Sequence, residues 1–198
     1  MTAISERINS LSESQTIAMS QKSAELKAQG KDIINLSVGQ PDFHTPDHIK
    51  EAAIQAIHDN FTTYPPVQGY KDLREAISNK LKEENQLDFS PEQIIVSAGA
   101  KHSLANAIMA IVNKGDEVIV PAPYWVSYVE QVKLAEGENV VVKTKLDNNF
   151  KLTPEQLQKS ITPKTKAIIL CSPSNPTGSI YSRQELKELA DVIAAAKQ

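Results

Sequence analysis

The sequence predicts an α/β protein with three layers, helices covering both faces of a largely parallel sheet. Three observations carry this expectation. From Ile94 onward, strand-like and helix-like stretches alternate four times. The strand-like runs Ile94–Val96, Val118–Val120, Val140–Val142 and Ala167–Leu170 are apolar without alternation, so both of their faces must be covered. The stretches between them start and stop with helix signals, such as Ser182-x-x-Glu185 at an opening and Gly115 after an ending.

The elements follow in order. Ile17, Met19, Ala24, Leu26 and Ala28 have helical spacing, and Gly30 stops the run. Ile33 to Leu36 reads as a short strand. Ser37 to Pro46 is a loop of turn formers. Thr45 and Pro46 read as N-cap and first position of a helix that reaches about Asn60. Pro65, Pro66 and Gly69 make FTTYPPVQGY irregular. Leu73, Ile77 and Leu81 give a helix to about Asn85, with KDLREAISNKLKEEN as its solvated face. Ser90-Pro91-Glu92-Gln93 opens one helical turn ahead of the first strand of the α/β series. Leu104, Ala107, Ile108, Ile111 and Val112 form one helix face, and a further helix is expected from Tyr124 to Ala135. Thr153-Pro154-Glu155-Gln156 caps a short helix.

Composition narrows the function. The chain has 198 residues, 21 basic and 24 acidic side chains and a net charge of −3. That balance excludes a protein that binds nucleic acid non-specifically. No run approaches the ~20 apolar residues of a membrane span, and MTAISERINSLSES lacks the basic head and apolar core of a secretory signal. One cysteine, Cys171, excludes an internal disulfide and a cysteine-based zinc cage. A cytoplasmic location, no membrane contact and no metal are expected. His44 and His48 are four apart, but His44 precedes the helix, so the pair need not share a face.

In α/β folds ligands bind beyond the carboxyl ends of strands. After Ile94–Val96 comes Ser97-Ala98-Gly99-Ala100-Lys101-His102-Ser103, whose small residues let backbone N–H groups and a helix dipole face an anion. A plain tight turn is the competing reading. After Val118–Val120 comes Pro121-Ala122-Pro123-Tyr124-Trp125, with the only tryptophan, placed to stack on a flat ring or to pack in the core. After the fourth run comes Ser172-Pro173-Ser174-Asn175-Pro176-Thr177-Gly178. Its two prolines stiffen a loop that presents the Asn175 amide, a donor and an acceptor, at a defined place. Cys171, at the strand end, reads as a small buried residue.

Together SPSNPTG, SAGAKHSL, PYW, GQPDFHTP and YPPVQGYKDLREAI resemble, in order and spacing, the class I aminotransferases of the aspartate aminotransferase type, which depend on pyridoxal phosphate. The resemblance runs from about residue 15 to the last residue. It implies the pyridoxal-phosphate-dependent transferase fold, truncated, with residues 1–45 as N-terminal arm and small-domain segment and 46–198 as the first part of the large cofactor-binding domain. It implies transfer of an amino group from an amino acid, aspartate as first guess, to a 2-oxoacid.

Residue by residue, it implies that the Gly39 N–H meets the substrate carboxylate and that Gly99, Ala100 and Lys101 hold the cofactor phosphate. Trp125 would stack on the pyridine ring and border the substrate, as Asn175 would. The Asn175 amide would donate to the ring's phenolic oxygen. Tyr64 would reach the phosphate in a neighbouring subunit, which implies a homodimer with shared active sites. Ser12 stands where prephenate-using members carry a basic residue, which counts against prephenate. The family's Schiff-base lysine, the aspartate facing the pyridine nitrogen and the carboxylate-clamping arginine lie further along, so all three are expected beyond Gln198. The sequence is therefore read as a fragment, inactive alone, without its catalytic residue. A nucleotide-binding module competes poorly, because neither GxGxxG nor GxxxxGK[ST] is present. A non-enzymatic aminotransferase-like binding domain is the other alternative.

Overall fold

The computed structural model describes residues 4–36 and 39–196. In chain order the elements are α1 (Glu6–Asn9), α2 (Gln15–Ala28), α3 (Asp47–His58), α4 (Lys71–Asn85), α5 (Ala100–Ile111), β1 (Glu117–Ala122), α6 (Ser127–Leu134), β2 (Glu138–Lys143), α7 (Pro154–Ser160), β3 (Thr165–Ile168) and α8 (Arg183–Ala196). They fall into two compact units, residues 26–103 and residues 1–25 with 104–198.

The second of these units is the α/β part. Its sheet has the order β2-β1-β3, and both pairings are parallel. β1 runs beside β2 from Glu117↔Glu138 to Ala122↔Lys143, and beside β3 as far as Ile119↔Ile168. The central strand is sealed: Val118, Ile119 and Val120 are 0%, 1% and 0% exposed. Side chains alternate across a strand, and here the alternation separates two cores. Val118 and Val120 pack with Ile108 of α5, Val112, and Tyr128 and Val132 of α6. Ile119 packs on the other side with Leu152, Leu157 of α7, Tyr181 and Leu189 of α8. The three layers expected from the unalternated run are therefore present. Each such buried aliphatic contributes about 1.5–3 kcal/mol.

The helix starts in this unit follow the sequence. Thr153 Oγ1 accepts the Gln156 N–H at 3.2 Å while Gln156 Oε1 accepts the Thr153 N–H at 3.1 Å. Ser182 and Glu185 exchange the same pair of bonds at 2.7 and 3.2 Å. Each box satisfies two N–H groups that a helix start leaves without intrahelical partners.

The unit of residues 26–103 contains α3 and α4. α3 has no buried residue, and Ile49, Ile54 and Ile57 are each at least half exposed. Arg74 of α4 donates from Nη1 to the Pro91 carbonyl at 2.6 Å and from Nε to the Gly69 carbonyl at 3.3 Å. Ser90 and Gln93 close the single turn at Pro91–Gln93, with Gln93 Oε1 accepting the Ser90 N–H at 3.0 Å.

Four expectations need correction. Ile33–Leu36 is irregular, with Ile34 and Leu36 85% and 90% exposed. Ile94–Val96 is extended but makes no ladder. The Val96 N–H donates to the Gln68 carbonyl at 3.0 Å, and Ile95 is 68% exposed. A strand needs a neighbour's backbone groups, and among the described residues neither run has one. The sheet accordingly has three strands among the described residues where four were expected. α6 starts at Ser127 rather than Tyr124, after a bend at Pro123 whose nitrogen cannot donate. α3 starts one residue late, with Pro46 rather than Thr45 at its cap.

Candidate functional site

The loop from Ser172 to Tyr181 leaves the carboxyl end of β3 and closes on itself. The Ser174 N–H donates to the Ser179 carbonyl at 2.9 Å, the Gly178 N–H to the Ser174 carbonyl at 2.8 Å, and the Tyr181 N–H to Ser172 Oγ at 3.1 Å. The Ser172–Pro173 and Asn175–Pro176 peptides are cis. Asn175 is exposed within this braced frame.

Beneath it lies a cavity of about 20 Å³, bordered by Asn175, Tyr124, Tyr128, Cys171, Pro123 and Tyr181 among others. That is room for one water. Burial, then contact with the Cys171 thiol, pushes the Tyr128 hydroxyl up to about 12, so that hydroxyl is neutral at physiological pH. Cys171 is half-buried rather than buried, and its thiol donates to the Pro173 carbonyl at 3.3 Å. Trp125 is half-buried against the core formed by α5 and α6. It meets the Tyr128 ring edge-on, centroids 5.5 Å apart and planes at 87°. The structure thus links Trp125 to the Asn175 cavity through Tyr128, which touches both.

In the unit of residues 26–103 stands the other expected feature. Gly99 adopts φ +85°, a left-handed backbone that favours glycine, and no atom lies within 4 Å of where a Cβ would be. Ala100 and Lys101 follow as the first residues of α5. The first N–H groups of a helix point outward along its axis, as anion binding requires. The Ala98 N–H is taken by His102 Nδ1 at 3.2 Å, so His102 braces the turn from behind. Gly39 is exposed in an irregular segment with nothing near its missing Cβ, while Ser37 and Val38 of the same loop lie outside the described residues. Tyr64 is fully exposed.

The sequence reading missed three supports. Tyr181 is 7% exposed, and its hydroxyl oxygen accepts the Leu152 N–H at 2.7 Å. An aromatic just ahead of the Ser182 capping box signals packing of the staple type, but not this bond. Lys151 and Glu185 form an ion pair. The Lys151 ammonium, then the Ser182 N–H and hydroxyl, hold the Glu185 carboxyl at about 2. Arg74 belongs to a run read as solvated, yet it is half-buried and grips two carbonyls.

Comparison with known proteins gives these features a family. The sequence profile of aminotransferase class I and II matches residues 31–197. A probable aspartate/prephenate aminotransferase of Rickettsia bellii is 54% identical over 193 residues, 98% of this chain and 48% of that protein. The aspartate aminotransferase of Geobacillus stearothermophilus is 50% identical over 192 residues, 97% of this chain and 49% of its own. The solved aspartate aminotransferase of Thermus thermophilus with maleate superposes with a TM-score of 0.95 at 43% identity, covering 99% of this chain and 51% of that one. The chain belongs to the class I and II aminotransferases. It spans about half the length of the curated relatives it matches. No helix among the described residues is long and apolar enough to cross a membrane.

Proposed function

We propose that this chain carries the amino-terminal part of a cytoplasmic, pyridoxal-phosphate-dependent aminotransferase that moves the amino group of aspartate to a 2-oxoacid. The observation that carries the reading is the Asn175 loop. A rigid, self-closed frame beyond the carboxyl end of a parallel strand carries the exposed Asn175, over an aromatic floor that also supports Trp125.

The residues present fit the cofactor. Gly99 and the start of α5 offer a place for a phosphate with no side chain in the way. Asn175 donates to the phenolic oxygen of the cofactor ring and keeps it ionised. Trp125 covers a face of the ring and excludes water. The Gly39 N–H binds the substrate carboxylate. Ala100 and Lys101 hold the phosphate through the first turn of α5, with Lys101 contributing mainly its backbone. Pyridoxal phosphate, when bound, supplies the electron sink that amino-group transfer needs.

The fully exposed Tyr64 and the uncovered Ile54 and Ile57 of α3 support a homodimer, in which Tyr64 reaches the phosphate held by a second copy. Residues 1–45 serve as arm and small-domain segment and 46–198 as the first part of the large domain.

The test uses the protein expressed from its complete reading frame, loaded with pyridoxal phosphate and assayed with aspartate and 2-oxoglutarate. Oxaloacetate formation that drops on Asn175→Ala supports the reading. A folded protein that neither retains the cofactor nor forms oxaloacetate refutes it.

A further inference from the structure

We propose that Tyr181 is a positioning residue that sets where the Asn175 amide stands, acting through the closed loop it anchors; this rests on the reading of Asn175 as a ligand of the cofactor ring. The loop is shut by its own bonds, Ser174 to Ser179, Gly178 to Ser174 and Tyr181 to Ser172. A shut loop is internally stiff but can still rock as a body about its two ends. Two bonds tie it to the segment that follows β2. Ser179 Oγ donates to the Asn149 carbonyl, and Tyr181 Oη accepts the Leu152 N–H at 2.7 Å.

The second tie is the buried one. Tyr181 and Leu152 are 7% and 3% exposed and belong to the same core cluster, with Leu157 and Leu189. Removing the hydroxyl takes away the partner of a largely buried N–H. Leu152 also leads directly into the Thr153 capping box, so the anchor point is itself fixed to α7. Tyr181 meanwhile borders the cavity beneath Asn175. One side chain thus joins the loop carrying the amide, the floor below it and the rigid start of α7. A hydrogen bond to a ring oxygen weakens steeply as the donor tilts, so a rocking frame would lose the amide's effect without losing the amide.

The experiment compares Tyr181→Phe, Asn175→Ala and the double variant in the protein expressed from its complete reading frame and loaded with pyridoxal phosphate. The readouts are the pH midpoint of the cofactor's visible absorption and the urea midpoint. Tyr181→Phe is expected to move the pH midpoint in the same direction as Asn175→Ala by about 0.5 unit, a threefold change in the proton equilibrium. The double variant is expected to match Asn175→Ala alone, because a positioning effect vanishes with the group positioned. A lowered urea midpoint with an unmoved pH midpoint overturns the proposal and leaves the Asn175 reading standing. An unmoved midpoint in Asn175→Ala overturns both. Should Tyr181→Phe not fold, Ser172→Ala removes the acceptor of the Tyr181 N–H; the same-direction shift supports the proposal and its absence overturns it.

Discussion

Gly69 and Val96 meet so closely that a Cβ on Gly69 would stand 2.7 Å from Val96 Cγ2 and 2.8 Å from Val96 Cβ. Gly69 also has φ +94°. Two independent penalties therefore face any substitution. A left-handed backbone costs a residue with a side chain about 1–2 kcal/mol, and the clash with a stiff, β-branched neighbour about 1–3 kcal/mol. Gly69→Ala should lower stability by about 2–5 kcal/mol, read as the shift in urea midpoint. Adding Val96→Ala relieves the clash but not the backbone strain, so the double variant should recover part of the loss. Equal midpoints for wild type and Gly69→Ala would contradict the contact.

Trp125 is the only tryptophan in these 198 residues, so the emission that Trp125→Ala removes is its own. It already lies edge-on to Tyr128 at 5.5 Å with the rest of its surface half open. A cofactor ring stacked on that open side should quench the emission as pyridoxal phosphate is titrated in. Trp125→Ala should raise the cofactor dissociation constant about tenfold or less, matching the ~0.5–1.5 kcal/mol of an aromatic pair. Emission that ignores the cofactor would leave Trp125 as core packing against α5 and α6.

Parts of this architecture are legible in the sequence for a physical reason, and parts are not. Val118–Val120 reads as a doubly covered strand because both of its faces are in fact sealed. Ile94–Val96 looks the same on paper, but Ile95 is 68% exposed and no strand among the described residues pairs with it. A local pattern reports which faces want burial, not whether a partner is present to form the ladder. The capping boxes at Thr153 and Ser182 are readable because both partners lie within three residues. Tyr181 is not, because the Leu152 N–H it accepts lies 29 residues away. Arg74 hides for the same reason, since its carbonyl at Pro91 is 17 residues distant. The Asn175 loop is conspicuous through its prolines, yet what braces it comes from outside it.

Glu185 predicts a pH dependence. Its carboxyl ordinarily titrates near 4.5 and is held at about 2 in the folded chain, first by Lys151 and then by the Ser182 N–H and hydroxyl. A depressed carboxyl adds stability that is complete above 4.5 and fades as pH falls toward 2. Glu185→Gln should therefore lower the urea midpoint at pH 7, and its gap from wild type should close between pH 4.5 and 2. A gap that persists unchanged at pH 2.5 would show that packing, not charge, is the larger part of what Glu185 contributes.

On the proposed reading, the choice of 2-oxoacid can be tested at Ser12. Ser12 presents a neutral side chain, and its backbone N–H donates to Glu130 Oε2 at 2.8 Å. The same carboxylate takes Lys133 Nζ at 2.9 Å, so on the proposed reading the Ser12 side chain itself adds no charge to attract a second carboxylate. The complete protein should use 2-oxoglutarate with a higher kcat/KM than prephenate, and Ser12→Lys should narrow the ratio. A wild-type preference for prephenate would remove Ser12 from the specificity argument.

The last prediction concerns the 198 residues expressed by themselves. A lysine that reacts with the cofactor aldehyde must be able to deprotonate and must stand across the ring from the turn that holds the phosphate. On the proposed reading Lys101, the second residue of α5, belongs to that turn, which would start its amine on the phosphate side. Lys151 is committed to Glu185. The sheet adds a second defect. Its outer strands among the described residues, β2 and β3, each pair on one side only, and Val141 of β2 is 42% exposed. Open strand edges beside apolar surface favour association. The isolated chain should therefore show no amino transfer, no stoichiometric borohydride-trapped label on any one lysine after incubation with pyridoxal phosphate, and a tendency to aggregate. Peptide mapping decides the chemical point: one lysine labelled to completion, together with measurable transfer from aspartate, would show that these residues hold a complete reactive centre after all.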